Sequence, residues 1–312
     1  PEAGMFADYS WPELGAIFAM QGFAGLILFS VFVLMALGLA IIFGQMGVIN
    51  MAHGEFMILG AYVTYLVSNL FADYMPALFG GYFFLAMALA FLASGALGLL
   101  VEWGLIRHLY KRPLDTLLAT WGLSLILQQI YRSVFGAREV GVSIPDWMMG
   151  SLPITDLIEV PINGIFVMTL AVSISLGVYI LMFKSTWGRQ VRAINNNRVM
   201  ADAVGINTAW TDRLTFGIGC GVAGVAGSAF TMIGSTGPTA GQLYIVDTFL
   251  VVVFGGAGSL LGTIASAFSI SQAQSIMEFF LSGSMAKVLT LLVVVGILMI
   301  RPQGLFALKL RK

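Results

Sequence analysis

Three stretches without a formal charge constrain this chain more than anything else in it. No Asp, Glu, Lys or Arg lies between Glu13 and Glu55, between Asp73 and Glu102, or between Glu159 and Lys184. Each is longer than the ~20 apolar residues that cross a bilayer as a helix. With 59% of its 312 residues hydrophobic and 10% charged, the chain falls far short of the roughly 25% charged residues of a soluble domain. Most of its surface therefore faces lipid. The fold expected is all-α: a polytopic transmembrane helix bundle of about 8–10 spans in one domain over residues 1–312, with spans interrupted by glycine. Nine spans are read near residues 22–43, 55–71, 78–101, 115–135, 162–183, 213–233, 243–255, 262–282 and 284–300.

Charge placement sets the expected orientation. With an outside N-terminus, nine spans put Arg107, Lys111, Arg112, Lys184, Arg189, Arg192, Arg198, Arg213, Arg301, Lys309, Arg311 and Lys312 on one side, twelve of fifteen basic residues. The positive-inside rule makes that side cytoplasmic. Residues 184–212 then form a cytoplasmic loop and 136–161 an outer one. The formal net charge is zero, so bulk basicity argues for no nucleic-acid partner. Cys220 has no second cysteine to pair with, which excludes an intrachain disulfide and a cysteine-built metal site. Pro1 in place of Met suggests a trimmed start, and no cleavable signal peptide is read in it.

Two apolar runs are broken by glycine at matching spacing: Phe43-Gly44-Gln45-Met46-Gly47-Val48-Ile49 and Phe254-Gly255-Gly256-Ala257-Gly258-Ser259-Leu260. Either these are broken helices at membrane depth, where protein or a watery cavity must satisfy the backbone, or they are ordinary cytoplasmic turns. The row Gly217, Gly219, Gly221, Gly224 and Gly227 reads as a face for close helix packing.

The densest polar group in an apolar setting is Asn50-Met51-Ala52-His53-Gly54-Glu55, directly after the first break. Ionisable groups at membrane depth normally face a partner or a pathway, which makes His53 and Glu55 pathway candidates. The alternative is a cytoplasmic loop with Glu55 stabilised in the first turn of a helix. Other polar residues within spans are Thr120, Gln128, Gln129, Asp247, Gln272 and Glu278; most suit bonding to neighbouring helices. Catalysis has little support. His53 lacks a second imidazole at HExxH spacing, no G-x-S-x-G elbow occurs, and Gly255–Ser259 lacks the lysine of a phosphate-binding loop. The chain is therefore expected to hydrolyse no ATP, to bind no cofactor or metal, and not to be an enzyme.

The polar interval from Lys184 to Asn207 is too patterned for a spacer. Asn196 or Asn197 can cap a short helix carrying Val199, Met200, Ala203 and Val204, with Gly205 as its stop. Such a helix suits either a partner's groove or, through Arg189, Arg192 and Arg198, an anionic lipid surface.

Several motifs in order carry a resemblance. Gly47 through Phe56 with Leu59-Gly60-Ala61-Tyr62, Val253 through Ser259 with Gly262, and Arg301-Pro302-Gln303-Gly304-Leu305-Phe306 resemble signatures of bacterial ABC-importer permeases for branched-chain amino acids. Within that family, Thr116 through Gln129 and Val142 through Gly150 look like the urea-type branch. The resemblance implies an importer in the bacterial inner membrane with two related membrane subunits, two cytoplasmic ATPases that hold ATP and Mg, and an external solute-binding protein. It makes Arg192, Ala193, Asn197, Met200, Ala201, Val204, Gly205 and Ile206 the segment that engages the ATPase. Urea or a short-chain amide is then the expected solute, with a branched-chain amino acid as the alternative. From polarity and position, Asn50, His53, Glu55, Thr120, Gln128 and the broken helix at Gly255 and Gly256 are the expected pathway residues. A passive urea or amide channel and a membrane amidase using His53 and Glu55 are the readings from other classes.

Overall fold

The chain is seen in a computed structural model that describes residues 10–110, 112–301 and 304–305. Eleven α-helices make up about three-quarters of the described residues. They are α1 (Trp11–Met46), α2 (His53–Tyr74), α3 (Tyr82–Gly104), α4 (Pro113–Phe135), α5 (Ile162–Lys184), α6 (Thr186–Asn196), α7 (Arg198–Ala203), α8 (Thr208–Phe230), α9 (Ala240–Gly255), α10 (Leu260–Phe280) and α11 (Gly283–Ile300). The all-α polytopic bundle is thus borne out. A small antiparallel hairpin in the 136–161 loop was not anticipated: β1 (Ser151–Thr155) pairs with β2 (Ile158–Pro161), with Leu152 opposite Val160.

Each of the nine expected spans has a helix, but six are long and apolar enough to cross a membrane by length and composition: α1, α2, α3, α5, α8 and α11. The other three differ for readable reasons. α9 has only 16 residues. α4 carries Asp115, Gln128, Gln129 and Arg132, and α10 carries Gln272, Gln274 and Glu278, which lower their apolarity. α1 is far longer than the segment expected, because Pro12 and the Glu13 carboxylate, which accepts the Ser10 N–H at 2.7 Å, start it well before the apolar run.

α1 is the centre of the bundle. Every residue from Ser30 to Ile42 is buried, as a helix apolar on all faces requires. α8, α9, α10 and α5 surround it, and α8 also packs on α2 and α3. The glycine row of α8 is what allows those crossings. A Cβ on Gly227 would overlap the Met57 carbonyl of α2, and one on Gly224 would overlap the Ser94 hydroxyl of α3. The packing role expected for this row is the one observed.

The two glycine breaks adopt different backbones although they share a pattern. In the first, Gly47 takes φ 67° and ends α1. His53, the first residue of α2, has Nε2 3.2 Å from the Met35 carbonyl. Met35 lies eleven residues before the end of α1, about 16 Å along its axis. The chain from Gly47 to Ala52 therefore runs back into the bundle without helical structure, and Val48, Asn50 and Ala52 are buried. The second break is a tight turn. Gly256 takes φ 94°, the Gly256 carbonyl accepts the Ser259 N–H at 2.9 Å, and Ser259 Oγ caps α10 by accepting the Gly262 N–H at 3.0 Å. The same pattern thus gives a non-helical segment that runs back into the bundle at one site and a tight turn at the other. The two breaks meet, since a Cβ on Gly44 would strike the Ala257 carbonyl.

Gly227→Val forces a branched side chain into the Met57 backbone and is expected to cost about 1–3 kcal/mol or more. Gly122→Ala, on an open face of α4 with nothing within 4 Å of its Cβ, is expected to be neutral or stabilising by up to about 1 kcal/mol. Thermal unfolding of the two variants in one detergent measures the contrast.

Candidate functional site

The chain entering α2 brings most of the expected pathway residues to one place. The Glu55 side chain points to the middle of α4, where its Oε1 accepts from Ser124 Oγ at 3.1 Å and from Gln128 Nε2 at 2.8 Å. Gln128 Nε2 also donates to Ser124 Oγ at 3.0 Å. Tyr131, one turn further along α4, donates its hydroxyl to the Glu55 main-chain carbonyl at 2.9 Å. Tyr131 packs on Tyr62, whose ring stacks on Phe135 with centroids 4.0 Å apart. Glu55, Asn50, His53 and Thr120 are all buried.

The non-helical chain beneath Glu55 is held by local chemistry. Asn50 Oδ1 accepts the Ala52 N–H at 3.1 Å, a short side-chain turn that asparagine favours. Thr120 Oγ1 accepts the Met51 N–H at 3.1 Å while donating back to the Thr116 carbonyl at 2.9 Å within α4. Gly54 closes the other side, since a Cβ there would overlap the Gly241 carbonyl at the start of α9.

Among the described residues, four buried polar atoms in this cluster have no hydrogen-bond partner: Asn50 Nδ2, His53 Nδ1, Glu55 Oε2 and the Tyr62 hydroxyl. An unmatched buried polar group costs about 1–3 kcal/mol. The atoms of Asn50, His53 and Glu55, in or directly after the unwound chain, mark a place with spare donor and acceptor capacity, with the Tyr62 hydroxyl further along α2. Among the described residues no group of three or more His, Cys, Asp and Glu is placed to hold a metal ion.

Asn50, His53, Glu55, Thr120 and Gln128 stand together; Gly255 and Gly256 stand apart from them. Gly255 packs against Gly262 of α10, and Gly256 lies beside Gly304. Leu305 donates its N–H to the Phe254 carbonyl at 2.8 Å, so the described part of the Arg301–Phe306 motif braces the second break. The rest of that motif, Pro302, Gln303 and Phe306, lies outside the described residues. Sequence reasoning missed Ser124, Tyr131 and Tyr62. The signal was present on α4: Thr116, Thr120, Ser124 and Gln128 recur every four residues, a polar stripe along an otherwise apolar helix.

At the basic end of the bundle, α6 and α7 form the surface on which the second group of expected residues sits. Asn197 caps α7, its Oδ1 accepting the Met200 N–H at 3.0 Å. Gly205 takes φ 87° and stops the helix, and Ile206 N–H returns to the Ala201 carbonyl at 3.1 Å. Ala201 is buried, while Val199, Met200 and Val204 are 81%, 60% and 70% exposed. Arg192 donates to the Met182 carbonyl and lies over the Phe183 ring. The Ala193 carbonyl accepts the Asn197 N–H at 3.0 Å. A cavity of about 790 Å³ opens beside these helices, lined by Gln45, Met46 and Gly47 of the first break and by Arg107, Tyr110 and Arg198.

Removing both donors to the buried carboxyl, Ser124→Ala with Gln128→Leu, is expected to lower stability by about 3 kcal/mol, whereas Glu55→Gln, which keeps an acceptor oxygen, is expected to stay within about 1 kcal/mol of the parent. Thermal melts in detergent, with expression and membrane insertion checked first, measure both.

Comparison with known proteins supplies an independent finding. A family profile described as "Branched-chain amino acid transport system / permease component" matches residues 22–300. The chain is 28% identical over 302 residues to the high-affinity branched-chain amino acid transport system permease protein LivH of Escherichia coli K12, covering 92% of this chain and 95% of that one. It is 26% identical to the probable branched-chain amino acid transport permease protein LivH of Methanocaldococcus jannaschii, over 96% of this chain and 95% of that one. The permease protein BraD of Pseudomonas aeruginosa, from a transport system of the same description, is 26% identical over 90% of this chain and 93% of its own. No solved structure matches the chain.

Proposed function

The chain belongs to the family of branched-chain amino acid transport system permease components, and from that premise we propose that it is one membrane subunit of an ATP-driven importer for branched-chain amino acids. The observation that carries this reading is similarity along nearly the whole length to relatives named as permeases of such systems. The urea-type branch expected from Thr116–Gln129 and Val142–Gly150 has no support among them, since their names specify branched-chain amino acids.

In this reading the basic end of the bundle is cytoplasmic, the N-terminus lies outside, and the C-terminus inside. The exposed apolar side chains of Val199, Met200 and Val204 dock in a groove of a cytoplasmic ATPase. Asn197, Gly205, Ala201 and Ile206 hold the shape of that helix, and Arg192 and Ala193 anchor the one before it. ATP and Mg bind to the two partner ATPases, and a second, related permease and an external solute-binding protein complete the importer. Accumulation of a solute that is neutral overall draws nothing from the membrane potential, so the energy must come from such a partner.

The pathway runs past the unwound chain at the start of α2. A solute crossing a dry constriction with its polar groups unmatched would lose roughly 2–7 kcal/mol per group. Glu55 Oε2 supplies an acceptor for an ammonium group and Asn50 Nδ2 a donor for a carboxylate. His53, Thr120 and Gln128 fix the backbone and carboxyl that present them. Gly255 and Gly256 act at a distance, by forming the turn against which the first break rests. Urea or a short-chain amide is the second reading, favoured by the same free donor and acceptor, which also suit a small neutral amide.

In proteoliposomes containing the chain with its native neighbours, leucine-loaded binding protein is expected to stimulate ATP hydrolysis and urea-loaded protein is not; the reverse result would transfer the assignment to urea. Solute equilibration without ATP would replace the importer by a passive channel. Glu55→Gln and Asn50→Ala are each expected to slow uptake about tenfold, the loss of one hydrogen bond to a charged group, with assembly intact. Gly205→Pro, which cannot adopt the positive φ found there, is expected to leave hydrolysis running while uptake stops.

A further inference from the structure

One ion pair and a ring contact tie α7 to the body of the bundle, and a second ion pair beside them ties α8 to α3. Arg198, the first residue of α7, places Nη2 2.6 Å from Asp212 Oδ2 on α8, and the Asp212 side chain is 7% exposed. The adjacent Arg213 donates Nε–H to Glu102 Oε2 at 3.1 Å near the end of α3, where the Glu102 side chain is 2% exposed. Tyr110 stands between the pairs. Its hydroxyl donates to Glu102 Oε1 at 2.6 Å, and the Arg198 guanidinium lies 5.7 Å from its ring centre. Burial and the neighbouring Glu102 carboxylate push the Tyr110 hydroxyl well above its ordinary range, which keeps it a donor.

The contacts continue inward from there. The Leu109 carbonyl, next to Tyr110, accepts Thr116 Oγ1 of α4 at 2.9 Å. One turn along α4, Thr120 Oγ1 accepts the Met51 N–H of the re-entrant chain at 3.1 Å. Arg198, Asp212 and Tyr110 also line the cavity of about 790 Å³, together with Gln45, Met46 and Gly47. The surface helix and the unwound segment are thus joined through the Arg198–Tyr110 ring contact, the backbone from Tyr110 to Leu109, and the hydrogen bonds of Thr116 and Thr120.

The need for such a brace comes from length. α7 has six residues, and a helix that short does not hold together by its own hydrogen bonds. A partner pulling on Val199, Met200 and Val204 would unwind it unless its inner face were anchored. The Arg198–Asp212 pair makes the helix and the start of α8 move as one piece, because separating it strands the Asp212 carboxylate away from water, and the Arg213–Glu102 pair ties that start of α8 to α3 in the same way.

We propose that the Arg198–Asp212 and Arg213–Glu102 pairs, bridged by Tyr110, are a latch through which α7 positions the Gly47–Ala52 segment and so couples hydrolysis in a partner ATPase to opening at the basic end. Arg198, Asp212, Glu102, Arg213 and Tyr110 are positioning residues; none of them contacts the solute. The latch rests on the importer reading of the chain and does not depend on which solute is carried.

The test measures ATP hydrolysis and solute uptake together in proteoliposomes holding the complete importer, with leucine and urea each supplied on the solute-binding protein. Arg198→Gln and Asp212→Asn are each expected to lower the solute moved per ATP by about tenfold while hydrolysis stays within about twofold of wild type, a loss in the usual range of a coupling free energy. The reversed pair, Arg198→Asp with Asp212→Arg, is expected to recover most of that ratio. Tyr110→Phe keeps the ring packing and is expected to lower the ratio by a smaller factor, about threefold. An unchanged ratio in the assembled single variants overturns the latch. So does a parallel fall of hydrolysis and uptake, which is the signature of a structural staple. A wild-type complex whose hydrolysis responds to neither solute overturns the importer reading itself, a result distinct from a coupled wild type with equally coupled variants.

Discussion

A backbone that leaves helical geometry inside an apolar bundle must find its hydrogen bonds from side chains, and this requirement organises the centre of the molecule. Gly47 to Ala52 is such a backbone. Asn50 and Thr120 take up two of its N–H groups, and the helix that starts there brings Glu55 against Ser124 and Gln128. The polar stripe of α4 exists to meet this segment. Had the chain continued as one helix through Gly47, those hydroxyls and amides would face a surface with nothing to bond. The same irregularity leaves Asn50 Nδ2 and Glu55 Oε2 unmatched, so the feature that is costly for folding is also the one that offers groups to a passing solute.

Much of the architecture was legible because bilayer physics writes it in coarse letters. Apolar runs with few charges located a helix at each of the nine expected positions, six of them long and apolar enough to cross a membrane, and the glycines of α8 announced their close packing. The three-dimensional relations stayed hidden. The pattern F-G-x-x-G-x-[I/L] occurs twice, yet one copy becomes a re-entrant segment and the other a turn, because the outcome depends on the residues downstream of it. Ser259 caps a new helix at once, whereas Asn50 and Thr120 hold a longer non-helical segment that ends in a turn. Gly255 and Gly256 were grouped with Glu55 on pattern alone, and the fold sends them to a different neighbourhood beside Gly262 and Gly304.

The partners of the charged residues were equally unreadable. Glu102, Asp212 and Arg213 stand at span ends, where charges are common, and nothing in their spacing joins α3 to α8. Only the fold brings Glu102 to Arg213 across 111 positions. Asn197, by contrast, was identified as one of two capping candidates from local chemistry, since its role needs only the next three residues. Local devices can be read from a sequence; long-range pairings wait for the tertiary structure.

The unusual length of α1 has a mechanical corollary. At 36 residues it extends about 54 Å, against a hydrocarbon thickness of about 30 Å, so at the ordinary tilts of up to about 40° part of it stands clear of the acyl chains. It is sheathed along its inner half by other helices, while α3, α5 and α11 are mostly exposed. A thicker or thinner membrane therefore presses on those outer helices first. The axis beside the unwound segment is insulated from lipid composition, as a ship's mast stepped on the keel is indifferent to the planking.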